Sequence, residues 1–299
     1  MMKRRDLLLA TGAALSLSSF PLGWAAADDQ KQRKLLMFTR SQGFEHSACK
    51  RDGDVLAYNE RVVTELGKKH GFDVVATKDG RVFDSDLSGY DAFLFYTTGD
   101  LTNPDSKDMS PPMSEDGKQR LLDAVHGGTG FLASHCGADT FHSPGPGKEN
   151  QPPEKRDPYI AMLGGEFIRH GKQQKGRLAV VDHKFPGLAG LGDELVIPTE
   201  EWYSLKNFAD NLHVLLVLDT QGMHDADYER PPFPSTWARK HGDGRVFYTA
   251  MGHREDVWDN ADFQTVLLGG LAWTFCNVEA DVTPNIKQVT PGADVMPPI

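Results

Sequence analysis

The sequence contains few cysteines, and none of them have the spacing of zinc knuckles or thioredoxin-like sites. The chain of 299 residues has three cysteines, Cys49, Cys136 and Cys276, and no C-x-x-C motif. This spacing excludes both kinds of site. An odd number of cysteines in an exported protein leaves at least one thiol free or paired with another chain. We therefore expect a packed core, rather than a disulfide framework, to stabilise the fold.

The sequence also lacks an excess of basic residues. It has 32 lysines and arginines against 42 aspartates and glutamates, which gives a formal net charge of -10. Because nucleic acids and anionic lipid surfaces both attract basic protein faces, this charge argues against a nucleic-acid partner and against membrane binding. A hydrophobic fraction of 39% and a charged fraction of 25% are ordinary for a soluble globular protein.

Several motifs of catalytic and nucleotide-binding proteins are missing from the chain. It has no G-x-S-x-G elbow, no G-x-x-x-x-G-K-[ST] loop and no G-x-G-x-x-G after the first expected strand. We therefore expect no nucleotide cofactor. We also find no internal repeat and no low-complexity block.

The N-terminal segment has the composition of an export signal. Residues 1–27 combine a basic start, an apolar middle and a small-residue exit, and Ala25–Ala27 fits an A-x-A cleavage site. Arg4–Arg5, followed by two leucines, favours the twin-arginine route over general secretion. The apolar part is too short and too interrupted for a secure membrane span, and no other segment qualifies. We therefore expect a soluble periplasmic or secreted protein.

Apolar runs alternate with helical periodicity through the first half of the chain. We predict strands at residues 34–40, 72–79, 90–98 and 129–136. The periodicity from Val55 to Leu66 and the serine-capped segment 114–128 predict helices between them. Fully apolar strands that alternate with helices are typical of a parallel sheet covered on both faces.

The second half predicts further strands with a looser pattern. We expect strands at residues 176–183, 193–204, 213–220 and 243–253 and a closing helix at 261–276. The sequence therefore predicts one flavodoxin-like α/β domain over residues 28–276. Its sheet is mostly parallel, with helices on both faces and an antiparallel extension. A proline-rich tail over 277–299 follows this domain.

Reactive side chains follow four of the expected strands. They lie in the segments around His46, at His135, at Glu200–Tyr203 and at His253. Because ligands bind outside the carboxyl ends of the strands in open α/β sheets, we expect these side chains to form one site. The residues that we predict to bind substrate are Phe44, His46, Asp139, His170, Trp202 and Tyr203.

Four residues at these strand ends suit a metal ion. The imidazoles of His46, His135 and His253 and the carboxylate of Glu201 are ligands that zinc or a similar divalent ion accepts. The chain has no H-E-x-x-H or H-x-H cluster to support this interpretation. The alternative is a hydrogen-bonded pocket that orients a sugar or another polyol, in which the aromatic rings beside the carboxylates stack on the sugar.

Cys136 has two interpretations. In the first, it is a nucleophile like that of class I glutamine amidotransferases, with His253 as its base and Glu255 as the residue that orients the base. In those enzymes the nucleophile follows G-x, and that position falls on His135 here. Because successive residues of an extended chain point in opposite directions, we favour a buried and inert Cys136. We expect Asp139 to cap the next helix, or else to orient His135.

Taken together, six segments of the sequence resemble the ThuA-like family, which is named for trehalose utilisation and has a glutamine-amidotransferase-like α/β fold. The segments are GFEHS (43–47), HCGADTFH (135–142), YIAMLGGEFIRHG (159–171), VVDHKFPGL (180–188), EEWYSL (200–205) and GRVFYTAMGHREDVW (244–258). In the family a serine commonly stands where this chain has Cys136. The usual D-E-x-Y is E-E-W-Y here, which keeps Glu201 and Tyr203.

The resemblance implies a role in sugar catabolism, alongside oxidoreductases that make 3-keto-sugars. We expect the protein to process glycosides or 3-keto-glycosides by elimination or hydrolysis. His135 or His253 is the expected base, and a metal held by the histidines and Glu201 is expected to polarise the ketone. Two other functions stay open from the residues: a non-catalytic carbohydrate-binding protein, and a thiol amidase or hydrolase that uses Cys136.

Overall fold

The computed structural model describes residues 32–298, so the export signal expected over residues 1–27 lies outside the described residues. Its strands are β1 (Arg33–Phe38), β2 (Phe72–Thr77), β3 (Ala92–Phe95), β4 (Gly130–Ser134), β5 (Glu166–His170), β6 (Gln174–Val180), β7 (Glu194–Glu200), β8 (Tyr203–Lys206), β9 (His213–Asp219), β10 (Phe233–His241) and β11 (Gly244–Thr249). Its α-helices are α1 (Tyr58–His70), α2 (Glu115–His126), α3 (Pro158–Leu163), α4 (Glu255–Trp258), α5 (Ala261–Thr274) and α6 (Ile286–Val289).

The main sheet has nine strands in the order β2-β1-β3-β4-β11-β10-β9-β6-β7. The first five strands in this order, β2-β1-β3-β4-β11, pair in parallel. The remaining pairs, from β11 through β10, β9 and β6 to β7, are antiparallel. Strands β5 and β8 form a separate antiparallel pair. The predicted fold class is therefore confirmed: a parallel α/β sheet, flanked by helices, continues into an antiparallel extension.

The parallel half forms because its strands are apolar on both faces. Every residue of β3 and β4 is buried, as is the last part of β1. Such strands need helices on the sheet to exclude water. The helix signals act locally: Gly71, at φ 80°, ends α1, and the Ser114 hydroxyl accepts a hydrogen bond from the Gly117 N–H at the start of α2.

The structure differs from the sequence interpretation at several elements. The strand expected at 193–204 is two strands, β7 and β8, which belong to different sheets. Helix α1 begins at Tyr58, and Val55 lies outside it, 59% exposed. The elements α3, β5 and β10 were not predicted. Strand β10 carries Arg239, whose guanidinium donates to carbonyl oxygens of α3, so that a charged residue is accommodated in a buried strand.

The proline-rich tail packs against the antiparallel half of the sheet. The Asn285 side chain exchanges two hydrogen bonds with the backbone of Val214 in β9. The buried Arg230 guanidinium donates to the Ala293 carbonyl at 2.6 Å. Within the described residues, no helix is long and apolar enough to cross a membrane.

Candidate functional site

Four side chains converge at one edge of the sheet. His135 directly follows β4, Glu201 directly follows β7, His46 lies in the loop after β1, and His253 lies in the loop after β11. One potential ligand atom from each of the four lies within 4.8 Å of those of the other three. We call these four residues the His–Glu cluster.

Short distances connect three members of the His–Glu cluster. The Glu201 Oε2 lies 3.1 Å from the His253 Nδ1 and 3.5 Å from the His135 Nε2. The two imidazole nitrogens are 3.2 Å apart. The His46 ring stands edge-on to the rings of His135 and His253, with centroid distances of 5.1 and 5.0 Å. The cluster therefore brings three imidazoles around one carboxylate.

His135 has an unusual backbone conformation that the surrounding residues hold in place. Its φ is 44°, in the left-handed region that residues with a side chain rarely adopt. The Tyr248 hydroxyl donates to its carbonyl oxygen at 2.9 Å. Its Nδ1 lies 3.0 Å from the Ala250 carbonyl, so the Nδ1–H donates there and the Nε2 lone pair faces the cluster. The sharp turn after β4 thus presents an imidazole at the position where the nucleophile elbow of other α/β enzymes presents a nucleophile.

The Glu200 carboxylate joins two of the loops that build the cluster. Its Oε2 accepts the backbone N–H groups of Gly252 and His253, at 2.8 and 3.1 Å, and its Oε1 accepts the N–H of Glu201 at 2.7 Å. Burial raises the pKa of Glu200 to about 7. The sequence placed Glu200 at the strand end that leads into the site but gave it no role, because its only signal was a second acid beside Glu201.

The local environment also sets the charges of the cluster. Burial opposes ionisation of Glu201, but contacts with His135 and His253 outweigh it and hold the pKa of Glu201 far below its usual range. Burial, followed by the neighbouring imidazoles, lowers the pKa of His46 well below its usual value. Burial also lowers the pKa of His135. At neutral pH the ionised Glu201 carboxylate therefore lies beside the uncharged imidazoles of His46 and His135, which are the protonation states that bind metal ions.

The family model of ThuA, described as trehalose utilisation, matches residues 34–274. The chain belongs to the ThuA family. A crystal structure of a ThuA-like protein from Bacteroides uniformis has a TM-score of 0.58 and 17% identity, and the match covers 84% of this chain and 95% of that one. A crystal structure of a ThuA-like protein from Parabacteroides merdae has a TM-score of 0.59 and 19% identity, and the match covers 84% of this chain and 92% of that one. No curated protein is detectably similar in sequence to this chain.

These comparisons confirm the resemblance on which the sequence interpretation depended, and they link this ThuA-family chain to carbohydrate utilisation. The two crystal structures share less than a quarter of their residues with it and show the fold alone.

Two residues predicted to bind substrate are exposed beside the cluster. The Phe44 side chain is 64% exposed, and its ring stands edge-on to the His46 ring at a centroid distance of 5.0 Å. The His170 side chain is 42% exposed, and its Nδ1 lies 3.3 Å from the Glu201 Oε1. Both side chains can therefore contact a ligand that approaches the His–Glu cluster from solvent.

The two aromatic residues after Glu201 are buried. Tyr203 packs its ring against His135, with a centroid distance of 4.1 Å, and its hydroxyl lies 3.5 Å from the His46 Nε2. Trp202 points into the core, where its indole N–H donates to the Gln174 carbonyl and its ring packs against Gly176. The prediction that Trp202 stacks on a substrate is therefore wrong, because the ring has no exposed face.

Asp139 belongs to a different group of side chains. Its carboxylate lies 3.0 Å from the His142 Nε2, and the His142 Nδ1 lies 3.3 Å from Glu166. These two carboxylates raise the pKa of His142 to about 9. The next helix, α3, is capped by Asp157 instead, so the expected capping role of Asp139 is wrong. Its carboxylate is engaged by His142 and not by His135.

Cys136 is not arranged as a nucleophile. Its side chain is buried, and burial raises the pKa of the thiol well above its ordinary value, which disfavours the reactive thiolate. The ring nitrogens of His253 contact Glu201, His135 and Gln173, and none of these contacts involves the thiol. This environment supports the interpretation of Cys136 as an inert part of the core.

Proposed function

We propose that this ThuA-family protein holds a divalent cation, such as zinc, in the His–Glu cluster and acts there on a 3-keto-glycoside. The observation that carries the proposal is the convergence of His46, His135, Glu201 and His253 within 4.8 Å. Ligand atoms of a tetrahedral zinc site are about 3.3 Å apart, given metal–ligand distances of about 2.0–2.2 Å. The three short distances in the cluster, 3.1, 3.2 and 3.5 Å, lie close to this value.

The residues around the cluster also suit a cation. The Nδ1 of His46 is buried and has no hydrogen-bond partner among the described residues, as expected of a nitrogen that a ligand would satisfy. His135 is anchored by the Ala250 carbonyl in the way that metal-binding histidines are oriented by a second partner. Glu200 fixes the backbone of Glu201 and His253. The four side chains of the His–Glu cluster, and the groups that orient them, are therefore consistent with a divalent ion.

When bound, a divalent cation polarises a substrate carbonyl. A 3-keto group acidifies the hydrogen at C2 of the sugar. An imidazole that removes this proton allows the substituent at C1 to leave as an alcohol, which takes the proton back from the imidazole, and water then adds across the new C1–C2 double bond. His253, one of the two bases expected from the sequence, is instead a proposed ligand. The His170 imidazole is 42% exposed and is not one of the four ligands, so we assign proton abstraction to His170. His135 is fully buried and holds the cluster in place.

The first experiment is elemental analysis of the purified protein and of His135→Ala, with His183→Ala as a control on an exposed histidine. We expect one cation per chain in the wild type and in His183→Ala and none in His135→Ala. His135→Ala is then expected to lose turnover of 3-keto-glycosides. Because this side chain is fully buried, circular dichroism is used to check that the variant is folded. A wild-type protein that takes up no cation, or a His135→Ala variant that keeps full turnover, would contradict the mechanism.

A non-catalytic carbohydrate-binding protein is the second candidate. The exposed Phe44 ring beside His46 favours it, because an aromatic face next to polar groups suits a sugar. This alternative expects saccharide binding that a chelator does not weaken, and no turnover of any keto-glycoside. Calorimetry with and without chelator distinguishes the two.

We also propose that the protein is exported, on the basis of the composition of residues 1–27. Cell fractionation of the wild type and of Arg4→Lys/Arg5→Lys tests this proposal. Retention of the double variant in the cytoplasm supports the twin-arginine route.

A further inference from the structure

A cavity of about 470 Å³ opens directly beside the His–Glu cluster. The last two residues of β5 and the turn that leads to β6, together residues 169–173, form one wall, and residues 225–227 form the other. Glu201 and His170 line the same cavity, so it is continuous with the cluster. Its volume lies within the range of about 300–1,000 Å³ that is usual for small-molecule sites. We call it the Lys172 cavity, after the residue at the middle of the turn.

The two walls of the Lys172 cavity are connected by hydrogen bonds. The Lys172 backbone N–H donates to the Asp225 carboxylate at 2.8 Å. The Gly171 N–H donates to the Tyr228 hydroxyl at 3.1 Å, and that hydroxyl donates to the Trp202 carbonyl at 2.7 Å. Asp225 has a φ of 77°, which is strained for a residue with a side chain. These bonds preform the cavity, so a ligand does not have to order its walls.

The lining of the Lys172 cavity is polar and nearly balanced in charge. Arg169 and Lys172 are its cations, and Glu201, Asp225 and Asp227 are its carboxylates, which leaves one net negative charge when His170 is neutral. Arg169 and Asp227 pair with each other. Many donors and acceptors without an excess of positive charge suit a ligand with several hydroxyl groups. The same lining disfavours a phosphorylated ligand, which needs cations.

We propose that the Lys172 cavity is the subsite for the second sugar unit of an uncharged disaccharide or glycoside whose first unit lies at the His–Glu cluster. This inference rests on the proposed function and adds to it the place in the fold where the second sugar unit binds. Glu201 belongs to both the cluster and the cavity, so a ligand that reaches the cluster extends into the cavity through adjacent contacts. The preferred ligand is therefore a neutral disaccharide, in preference to a monosaccharide or a sugar phosphate.

Calorimetric titration with trehalose, glucose and trehalose 6-phosphate tests the subsite. None of the three has a ketone, so the proposed elimination does not consume them. We expect trehalose to bind the wild type at least tenfold more tightly than glucose and at least tenfold more tightly than its 6-phosphate. Equal binding of trehalose and glucose, or tighter binding of the phosphate, would overturn the inference.

A cavity-filling variant provides the second test. Ala226 lines the cavity and is partly exposed, so Ala226→Phe is expected to remove the tenfold preference for trehalose and to leave glucose binding unchanged. Ala189→Phe, at an exposed site outside the lining, is the matched control and is expected to bind like the wild type. Lys172→Ala, on an exposed side chain, is expected to weaken trehalose about threefold or more and serves if Ala226→Phe is unstable.

The cation content of each variant separates the two proposals. A wild type that holds one cation but binds trehalose and glucose equally refutes the sugar subsite and remains consistent with the cation site in the His–Glu cluster. If the wild type holds no cation, and Ala226→Phe abolishes its preference for trehalose, the metal mechanism is refuted and the result supports the sugar subsite. A protein that binds none of the three saccharides refutes the subsite.

Discussion

The carboxylate of Glu200 accepts the backbone N–H of His253 at 3.1 Å, and this contact ties the end of β7 to the loop after β11. Glu200 is fully buried, and the same carboxylate also accepts the N–H groups of Gly252 and Glu201. One side chain therefore sets the relative position of two members of the His–Glu cluster. This makes Glu200 a positioning residue.

Glu200→Ala is expected to lower the free energy of unfolding by about 3 kcal/mol or more, because three backbone donors lose their acceptor and each unsatisfied buried group costs about 1–3 kcal/mol. Urea denaturation measures this loss. Glu200→Gln keeps one oxygen acceptor and is expected to lose less stability, while Glu229→Ala, at an exposed glutamate, is the neutral control. The cation content should fall in Glu200→Ala, and an unchanged stability and cation content would contradict the positioning role.

The histidines at the mouth of the site are expected to separate cation binding from proton abstraction. His253→Ala removes a proposed ligand and is expected to lose both the cation and turnover. His170→Ala is expected to keep the cation and to lose turnover by about a hundredfold or more, which is the usual contribution of a general base. Elemental analysis and single-turnover kinetics on a 3-keto-glycoside measure the two effects. Equal loss of the cation in both variants would show that His170 is not separate from the metal ligands.

Gln173 is expected to tune the cation affinity through His253. Its side-chain amide lies 2.9 Å from the His253 Nε2, and its carbonyl oxygen accepts from Arg254. The amide nitrogen of Gln173 faces the His253 Nε2 and donates to its lone pair. Cation binding at the His253 Nδ1 requires a proton at Nε2, and a carboxylate can accept a hydrogen bond from that N–H whereas the amide nitrogen cannot. Gln173→Glu is therefore expected to raise cation affinity about tenfold in competition with a chelator. Gln221→Glu, at an exposed site, is the control, and weaker binding by Gln173→Glu would argue that His253 is not a ligand.

The contacts of His142 with Asp139 and Glu166 give the fold a pH-dependent contribution to stability. Because the folded pKa of His142 is raised to about 9 from an ordinary value near 6.5, protonation favours the folded state. The contribution is fully present below about pH 6.5, decreases as the pH rises, and is lost above about pH 9. The side chain is 46% exposed, so solvent screening limits the contribution to about 1 kcal/mol.

Unfolding free energies of the wild type and of His142→Gln, measured from pH 5 to pH 10, test this contribution. The two curves are expected to differ most at the acidic end and to converge at the alkaline end. His224→Gln, at an exposed histidine, is the control substitution. A difference that grows as the pH rises has the wrong sign for the proposed contacts.

Thiol reagents are expected to leave the protein active. Cys136 and Cys49 are buried, whereas Cys276 is exposed, so mass spectrometry after alkylation of the native protein should find the label on Cys276 alone. Cys136→Ala is expected to keep turnover and to lose some stability, because the thiol fills space in the core. Inactivation that follows labelling of Cys136 would restore the thiol-hydrolase interpretation.

Local sequence patterns were enough to predict the parallel half of the fold. Its strands are short runs that are apolar on both faces, and the helices between them carry their own start and stop signals in Ser114 and Gly71. These features act within a few residues of the chain, so a local pattern is enough to locate them. Because sites in open α/β sheets lie outside the carboxyl ends of the strands, the positions of His46, His135, Glu201 and His253 after expected strands also indicated that they would meet. These four side chains do converge in the structure.

Contacts between distant segments of the chain could not be predicted from these local patterns. Strand β10 was missed because the charge of Arg239 is satisfied by carbonyl oxygens of α3, far away in sequence. Trp202 is buried because the chain leaves one sheet after β7 and enters another at β8, which turns the indole toward Gly176. Glu200 acquires its role from the Gly252 and His253 backbone, and Asp139 acquires its partner in His142.

The physical reason is the same in each case. A residue's own type shows what bonds it can form, but burial decides whether it must form them and the fold decides which groups are near enough to do so. The chemistry of this site was therefore present in the sequence, while its geometry, its charges and the cavity beside it arose from packing.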